Sequence, residues 1–250
     1  DPATGLPVAG GAPGGEGGVS EAGGLDMKMA VLMSRDDIFE SVLSSDGRYL
    51  AYVTSAEEKT SLTVRQVRTG SDARILPPQE FLVRGVSFSP DGDYLYYLNQ
   101  DPVSPAYQAL FQVPSLGGTP RKIFFDVDTA ASFSPDGARV CFRRGKPDIK
   151  SDTLVIGDLQ TGKDSELVRI AFPKSFASPP AWSPDGKHVA VALRTLEGGL
   201  RCSVLVVDVE GGRQTTIESK PFSFVFMDSL AWLPDGNALI VSGALAASPA

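Results

Sequence analysis

This sequence predicts an all-β fold: a β-propeller of four-stranded antiparallel blades, about four of them complete, with the opening strands of a fifth. Two observations carry the prediction. The first is a phrase written five times: Ser-Ser-Asp-Gly at 44–47, Ser-Pro-Asp-Gly at 89–92, 134–137 and 183–186, and Leu-Pro-Asp-Gly at 233–236. Its aspartates, Asp46, Asp91, Asp136, Asp185 and Asp235, are spaced 45, 45, 49 and 50 residues apart, close to the period of propeller blades. The second is that each copy stands between two short apolar stretches with a two-residue alternation, the period of β-structure.

The first strand of each unit ends just before the phrase. Three residues ahead of the aspartate stand Leu43, Phe88, Phe133, Trp182 and Trp232, and four ahead stand Val42, Ser87, Ser132, Ala181 and Ala231. Bulky residues therefore occupy one face and mostly small residues the other, so both faces are expected to be buried. The second strand follows, with Leu50, Leu95, Val140, Val189 and Leu239 four residues beyond the aspartate. Tyr52, Tyr97, Phe142, Val191 and Val241 stand at six beyond. Between the two strands, Pro presets φ, Asp accepts local hydrogen bonds and Gly adopts the left-handed conformation that closes the hairpin.

A second hairpin completes each unit. Its outgoing strands are read at Leu62–Val67, Leu110–Val113, Leu154–Leu159 and Val204–Val209, and its return strands at Arg74–Leu76, Arg121–Phe124, Glu166–Val168 and Gln214–Ile217. Four strands in up-and-down order make a blade. A helical turn is expected only near Arg35–Ser41. Residues 1–25, rich in Gly, Pro and Ala, read as a flexible linker, leaving 26–250 for the propeller.

Bulk composition narrows the partners. Of 250 residues, 42% are hydrophobic and 21% charged, ordinary for a globular chain. The net charge of −7 argues against a nucleic-acid partner, which needs a basic face. Two local basic clusters, Arg121-Lys122 and Arg143-Arg144 with Lys146, are read as solvated blade edges that block unwanted strand pairing. No run approaches the 18 or so apolar residues of a membrane span, so no direct membrane insertion is expected. Cys141 and Cys202 are too few for a disulfide framework, and a bridge requires Cα atoms within about 7 Å.

The aromatic–Ser-Pro-Asp-Gly–x–x–aliphatic phrase reads FSPDGDYL (88–95), FSPDGARV (133–140), WSPDGKHV (182–189) and WLPDGNAL (232–239). In this phrase the chain resembles the TolB-type, WD-repeat-like β-propellers over residues 37–243. The stretches LTVRQVRTGSDARIL (62–76) and LFQVPSLGGTPRKI (110–123) resemble more particularly the propeller that follows the kinase domain in certain bacterial receptor-like Ser/Thr kinases. That resemblance implies a sensor or interaction module on the extracytoplasmic side, periplasmic or at the cell surface. The same propeller type precedes the hydrolase domain of prolyl-oligopeptidase-like peptidases, where it gates substrate, and forms the partner-binding part of TolB itself. A family member would place an outermost strand, donated to the last blade, where this chain has Met27–Met33. The chain stops before a fifth blade is complete.

No enzymatic residue is carried over. There is no Gly-rich phosphate loop, no His-Arg-Asp loop and no Gly-x-Ser-x-Gly elbow. His188, the only histidine, occupies a position filled elsewhere by Tyr49, Tyr94, Arg139 and Ala238, so it is read as solvent-facing rather than catalytic. The repeated aspartates recur once per blade and are read as turn formers, not as a calcium loop, which concentrates its ligands within a dozen residues. No metal or cofactor is expected. The binding candidates lie seven residues ahead of each aspartate, at the entry to each innermost strand: Phe39, Arg84, Thr129, Ser178 and Asp228, with Asp126 and Asp128 beside the third. These vary where the scaffold does not, and they are expected to ring one mouth of the central channel. The loops Gln100–Tyr107 and Phe172–Pro180 interrupt the repeat and offer further surface to a protein or peptide partner or a small ligand.

Overall fold

The computed structural model describes residues 31–197, 199–218 and 224–245. The chain divides into two compact units, Asp1–Ser34 and Arg35–Ala250, and every described strand belongs to the second. The first blade is β1 (Ile38–Leu43), β2 (Tyr49–Ala56), β3 (Lys59–Gln66) and β4 (Asp72–Gln79), paired in chain order. The second is β5 (Arg84–Phe88), β6 (Tyr94–Gln100), β7 (Gln108–Pro114) and β8 (Arg121–Phe125). The third is β9 (Ser132–Phe133), β10 (Arg139–Lys146), β11 (Ser151–Asp158) and β12 (Asp164–Ala171).

In the fourth blade the innermost strand is broken. β13 (Lys174–Phe176) and β14 (Ala181–Trp182) both pair with β15 (His188–Thr195), and β16 (Arg201–Asp208) and β17 (Gln214–Ile217) follow. Pro179 and Pro180 sit at the break; a proline has no N–H to give to a ladder. The opening hairpin of a fifth blade is β18 (Phe224–Trp232) paired with β19 (Leu239–Leu245). Leu239–Ser242, which the sequence reading leaves unpaired, thus lies against Ser229–Trp232, and a Cys202–Phe224 pair joins this hairpin to the fourth blade in one seven-stranded sheet. The helical expectation at Arg35–Ser41 is corrected: only Asp36 and Asp37 form a turn, and β1 begins at Ile38, where the alternation takes over. The linker at 1–25 and the first part of Met27–Met33 lie outside the described residues, and 31–33 form no strand.

The repeated phrase folds as a closed hydrogen-bond circuit. In four copies the serine hydroxyl (Ser44, Ser89, Ser134, Ser183) donates to the aspartate two residues on, at 2.5–2.7 Å. The same oxygen accepts the N–H of the residue that opens the second strand. The aspartate then accepts the N–H two residues beyond itself. These donors hold the carboxyls of Asp91, Asp136 and Asp185 below the usual carboxylate range, the serine hydroxyl contributing most. In Asp46 the Arg48 N–H leads and brings the group down to about 2.

A pH dependence follows. A carboxyl with a lower pKa folded than unfolded binds fewer protons in the native state. Its contribution is complete above the unfolded value of about 4 and is lost as pH falls through the folded one. Thermal melts should therefore hold down to pH near 4 and fall steeply between about 4 and 2. Ser89→Ala and Ser134→Ala should flatten that fall, and a stability unchanged from pH 4 to 2 would contradict it.

The core lies between blades, and the alternation of each second strand feeds two neighbours at once. Leu95 and Tyr97 pack with Val53, Leu62 and Val64 of the first blade, while Tyr96 and Leu98 pack with Val140, Phe142 and Val155 of the third. Cys141 faces the other way, joining Val189, Val191 and Trp182 of the fourth. Both faces of the second strands are buried, at roughly 1.5–3 kcal/mol for each large side chain. The double burial expected of the first strands holds in β14, whereas in β1 Leu43 is 49% exposed. Cys141 and Cys202 are buried and share no disulfide, and burial pushes the Cys141 thiol far up. Polar clamps reinforce the stacking. Glu40 accepts the N–H groups of Val86 and Gly85 at 2.7 and 2.8 Å, Ser132 accepts the Trp182 N–H at 2.9 Å, and Trp232 Nε1 donates to the Ala181 carbonyl at 3.0 Å.

Candidate functional site

Up-and-down pairing sends the repeated turns to one end of every blade and the blade-to-blade connections to the other. At this second end, a cavity of about 630 Å³ opens across blades two and three and the entry to four. The β8–β9 connection supplies Asp126 and Asp128, the β10–β11 hairpin supplies Arg143, Gly145, Lys146 and Lys150, and the β12–β13 connection supplies Phe172 and Lys174. Arg84 at the start of β5 and Tyr107 ahead of β7 close the near side.

The acidic residues are held by local geometry. Val127 is fully buried between Asp126 and Asp128, so the connection is anchored while its carboxylates turn outward to the hairpin. Asp126 adopts φ +59° and is itself buried; its Oδ2 lies 2.7 Å from Lys146 Nζ. Arg144 donates to the carbonyls of Asp126 and Phe125, each at 2.9 Å, and pairs with Asp164 at 2.7 Å. Asp128 accepts the Gly145 N–H at 2.6 Å. Asp152 accepts from Arg143 Nη2 and from the Phe176 N–H, both at 3.0 Å, and so ties blade three to blade four. Gly145 makes this possible: a Cβ there would lie 3.1 Å from Asp128 Oδ2 and 3.2 Å from Asp152 Oδ1.

Of the seven binding candidates, the structure brings together Arg84, Asp126 and Asp128. Arg84 donates from Nε to Gln108 Oε1 at 3.1 Å. The hydroxyls of Thr129 and Ser178 are engaged by the scaffold, accepting the N–H of Arg143 at 3.1 Å and of Ala192 at 3.0 Å. Phe39 is 55% exposed and stands outside the cavity. Asp228 falls at a register shift of β18, and its side chain lies outside the described residues.

Arg121 and Lys122 stand exposed on the edge strand β8, as expected, whereas the cluster of Arg143, Arg144 and Lys146 is not a solvated edge. Arg143 and Lys146 pair with carboxylates of the cavity wall, Asp152 and Asp126, while Arg144 pairs with Asp164 on β12. Lys122 pairs at 2.7 Å with Asp101, a buried carboxylate that also accepts the Val103 and Ser104 N–H groups and organises the Gln100–Tyr107 loop. That ammonium holds the Asp101 carboxyl below its usual range. His188 stands on the turn face, 3.9 Å from Asp185. Among the described residues no cluster of three His, Cys, Asp or Glu side chains could hold a metal, and no helix is long and apolar enough to cross a membrane.

No family model matches the chain, and no curated protein does. Solved structures do. A TolB-type protein from Agrobacterium tumefaciens superposes with a TM-score of 0.62 at 19% identity, covering 86% of this chain and 73% of that one. TolB from Acinetobacter baumannii gives 0.61 at 18% identity over 78% of this chain, which spans about half (47%) of that protein. The β-propeller domain of the Trilobed protease from Pyrococcus furiosus gives 0.53 at 12% identity, over 75% and 59%. At these identities the likeness is one of fold: the chain is a partial β-propeller, with three four-stranded sheets and a seven-stranded one that holds the fourth blade and the opening hairpin of a fifth.

Proposed function

We propose that this propeller is a non-catalytic binding module that offers the cavity end, not the turn end, to a protein, peptide or small ligand. The observation that carries the reading is the convergence of Arg84, Asp126 and Asp128 with Arg143, Lys146 and Lys174 around one cavity of about 630 Å³. That volume lies within the usual range for ligand sites. Its parts come from separate connections on rigid blades, the arrangement in which loops carry binding. The resemblance to receptor-like Ser/Thr kinase propellers supports a sensor role on the extracytoplasmic side. The fold shared with the Trilobed protease propeller supports the second reading, a gate for a peptidase; the domain encoded beside this one separates the two.

Selection of peptides from a displayed library against the immobilised chain tests the proposal. Arg84 touches only Gln108 through its guanidinium, so Arg84→Ala should melt within about 0.5 kcal/mol of the parent. The selected peptides should bind that variant about tenfold more weakly, the loss of one hydrogen-bonded charge. Binders insensitive to Arg84→Ala but weakened by Tyr94→Ala or His188→Ala, on the turn face, would overturn it.

A further inference from the structure

The charges around the cavity are not balanced. Its wall carries five cations, Arg84, Arg143, Lys146, Lys150 and Lys174, against three carboxylates. Each carboxylate is already committed: Asp126 to Lys146, Asp152 to Arg143, and Asp128 to the Gly145 N–H. Among the described residues, Arg84, Lys150 and Lys174 have no carboxylate within 4.0 Å, and the guanidinium of Arg84 is met only by the neutral Gln108. Two polar atoms of the same wall, Arg143 Nε and Ser151 Oγ, are buried without a hydrogen-bond partner. The excess of cations over carboxylates favours an anion in front of this wall.

Beside these cations lies exposed apolar surface. Tyr107 is 47% exposed and Phe172 62%, both at the cavity, with Val103 at 82% and Ile149 at 57% on the adjoining loops. A single free anion would use neither the apolar surface nor most of a cavity of about 630 Å³. The chain as a whole carries −7, so an acidic ligand is repelled by most of the surface and drawn to this end. A nucleic acid would need an extended basic face, and these cations are confined to one cavity.

We infer that the cavity binds an acidic peptide segment: carboxylate side chains against Lys150, Lys174 and Arg84, with an apolar residue between them against Tyr107 or Phe172. This deepens the binding-module reading and rests on it. The carboxylates would satisfy cations that the protein leaves uncompensated. The apolar contact would supply affinity that survives salt, while the charge contacts weaken as salt screens them.

The test uses the full chain, ¹⁵N-labelled, with the peptide acetyl-Glu-Glu-Leu-Glu-Glu-amide and its Gln-Gln-Leu-Gln-Gln counterpart. Inorganic phosphate and citrate serve as free-anion arms. The acidic peptide should shift amide signals at Gly145, Ser151 and Ser175, and the Gln peptide should bind about tenfold or more weakly. Lys150→Glu and Lys174→Glu should each weaken the acidic peptide by about tenfold or more, with melting curves unchanged because neither ammonium is paired within the fold. Equal binding of both peptides at the cavity would overturn the acidic ligand while leaving the binding-module reading in place. Phosphate or citrate shifting the same signals with no effect of the acidic peptide would mark a free-anion site and overturn the inference. Signals that no peptide moves at this end, with library binders insensitive to Arg84→Ala, would remove the broader reading as well.

Discussion

Replacing Gly157 by valine should destabilise the chain by about 3 kcal/mol, at the upper end for overpacking in a close-packed interior. For a chain of this size that corresponds to a fall in melting temperature on the order of 10 °C. Gly157 lies in β11, paired with Val140 and Asp164, and the tip of the Phe124 ring from the neighbouring blade fills the space a Cβ there would take. A Cβ at this position would stand 2.6 Å from Phe124 Cε2, and the ring, 3% exposed and 5.5 Å from Phe142, has no room to turn away. Gly157 thus sets the spacing between blades two and three. Pairing the substitution with Phe124→Leu should recover part of the loss. A Gly157→Val chain that melts with the parent would show that blades two and three do not pack at this distance.

Asp152→Ala should cost about 3 kcal/mol, the lower end of the range for breaking a buried pair, since Arg143 keeps 30% of its side chain exposed. Two groups would lose their acceptor together: the Phe176 N–H of β13 and the Arg143 guanidinium, whose Nε already has no partner. Asp152→Asn can still accept the Phe176 N–H and should cost clearly less. Chemical denaturation of both variants, with hydrogen exchange at Phe176, separates the two contributions. An alanine variant as stable as the parent, with Phe176 still protected, would mean that β13 is held by its pairing to β15 alone.

Much of the scaffold was readable because its causes are local. A serine, an aspartate and a glycine at fixed offsets close a hairpin by hydrogen bonds within six residues, so the turns and the strands around them are written where they form. The one misread element, the start of β1, lies where a weak turn signal at Asp36-Asp37 precedes alternating Ile38, Glu40 and Val42. Candidate residues fared unevenly for a related reason. The position seven residues ahead of the aspartate opens β5 at Arg84 but falls inside β18 at Asp228; a hydroxyl there, in Thr129 and Ser178, is short enough to cap a backbone N–H, whereas the longer Arg84 reaches the cavity.

The basic residues of β10 were misjudged because a charge on a strand end carries no label for what faces it. Arg143 and Lys146 alternate along β10 like any edge residues, and their partners Asp152 and Asp126 come from different connections. The blade repeat and its turns were legible in the sequence by itself because they depend on interactions close along the chain. Which charges meet, where Gly145 and Gly157 allow close approach, and which three cations at one end have no acid beside them among the described residues all follow from the assembled blades. Those facts depend on distances between segments brought together by stacked blades, and such distances are written nowhere along a single strand.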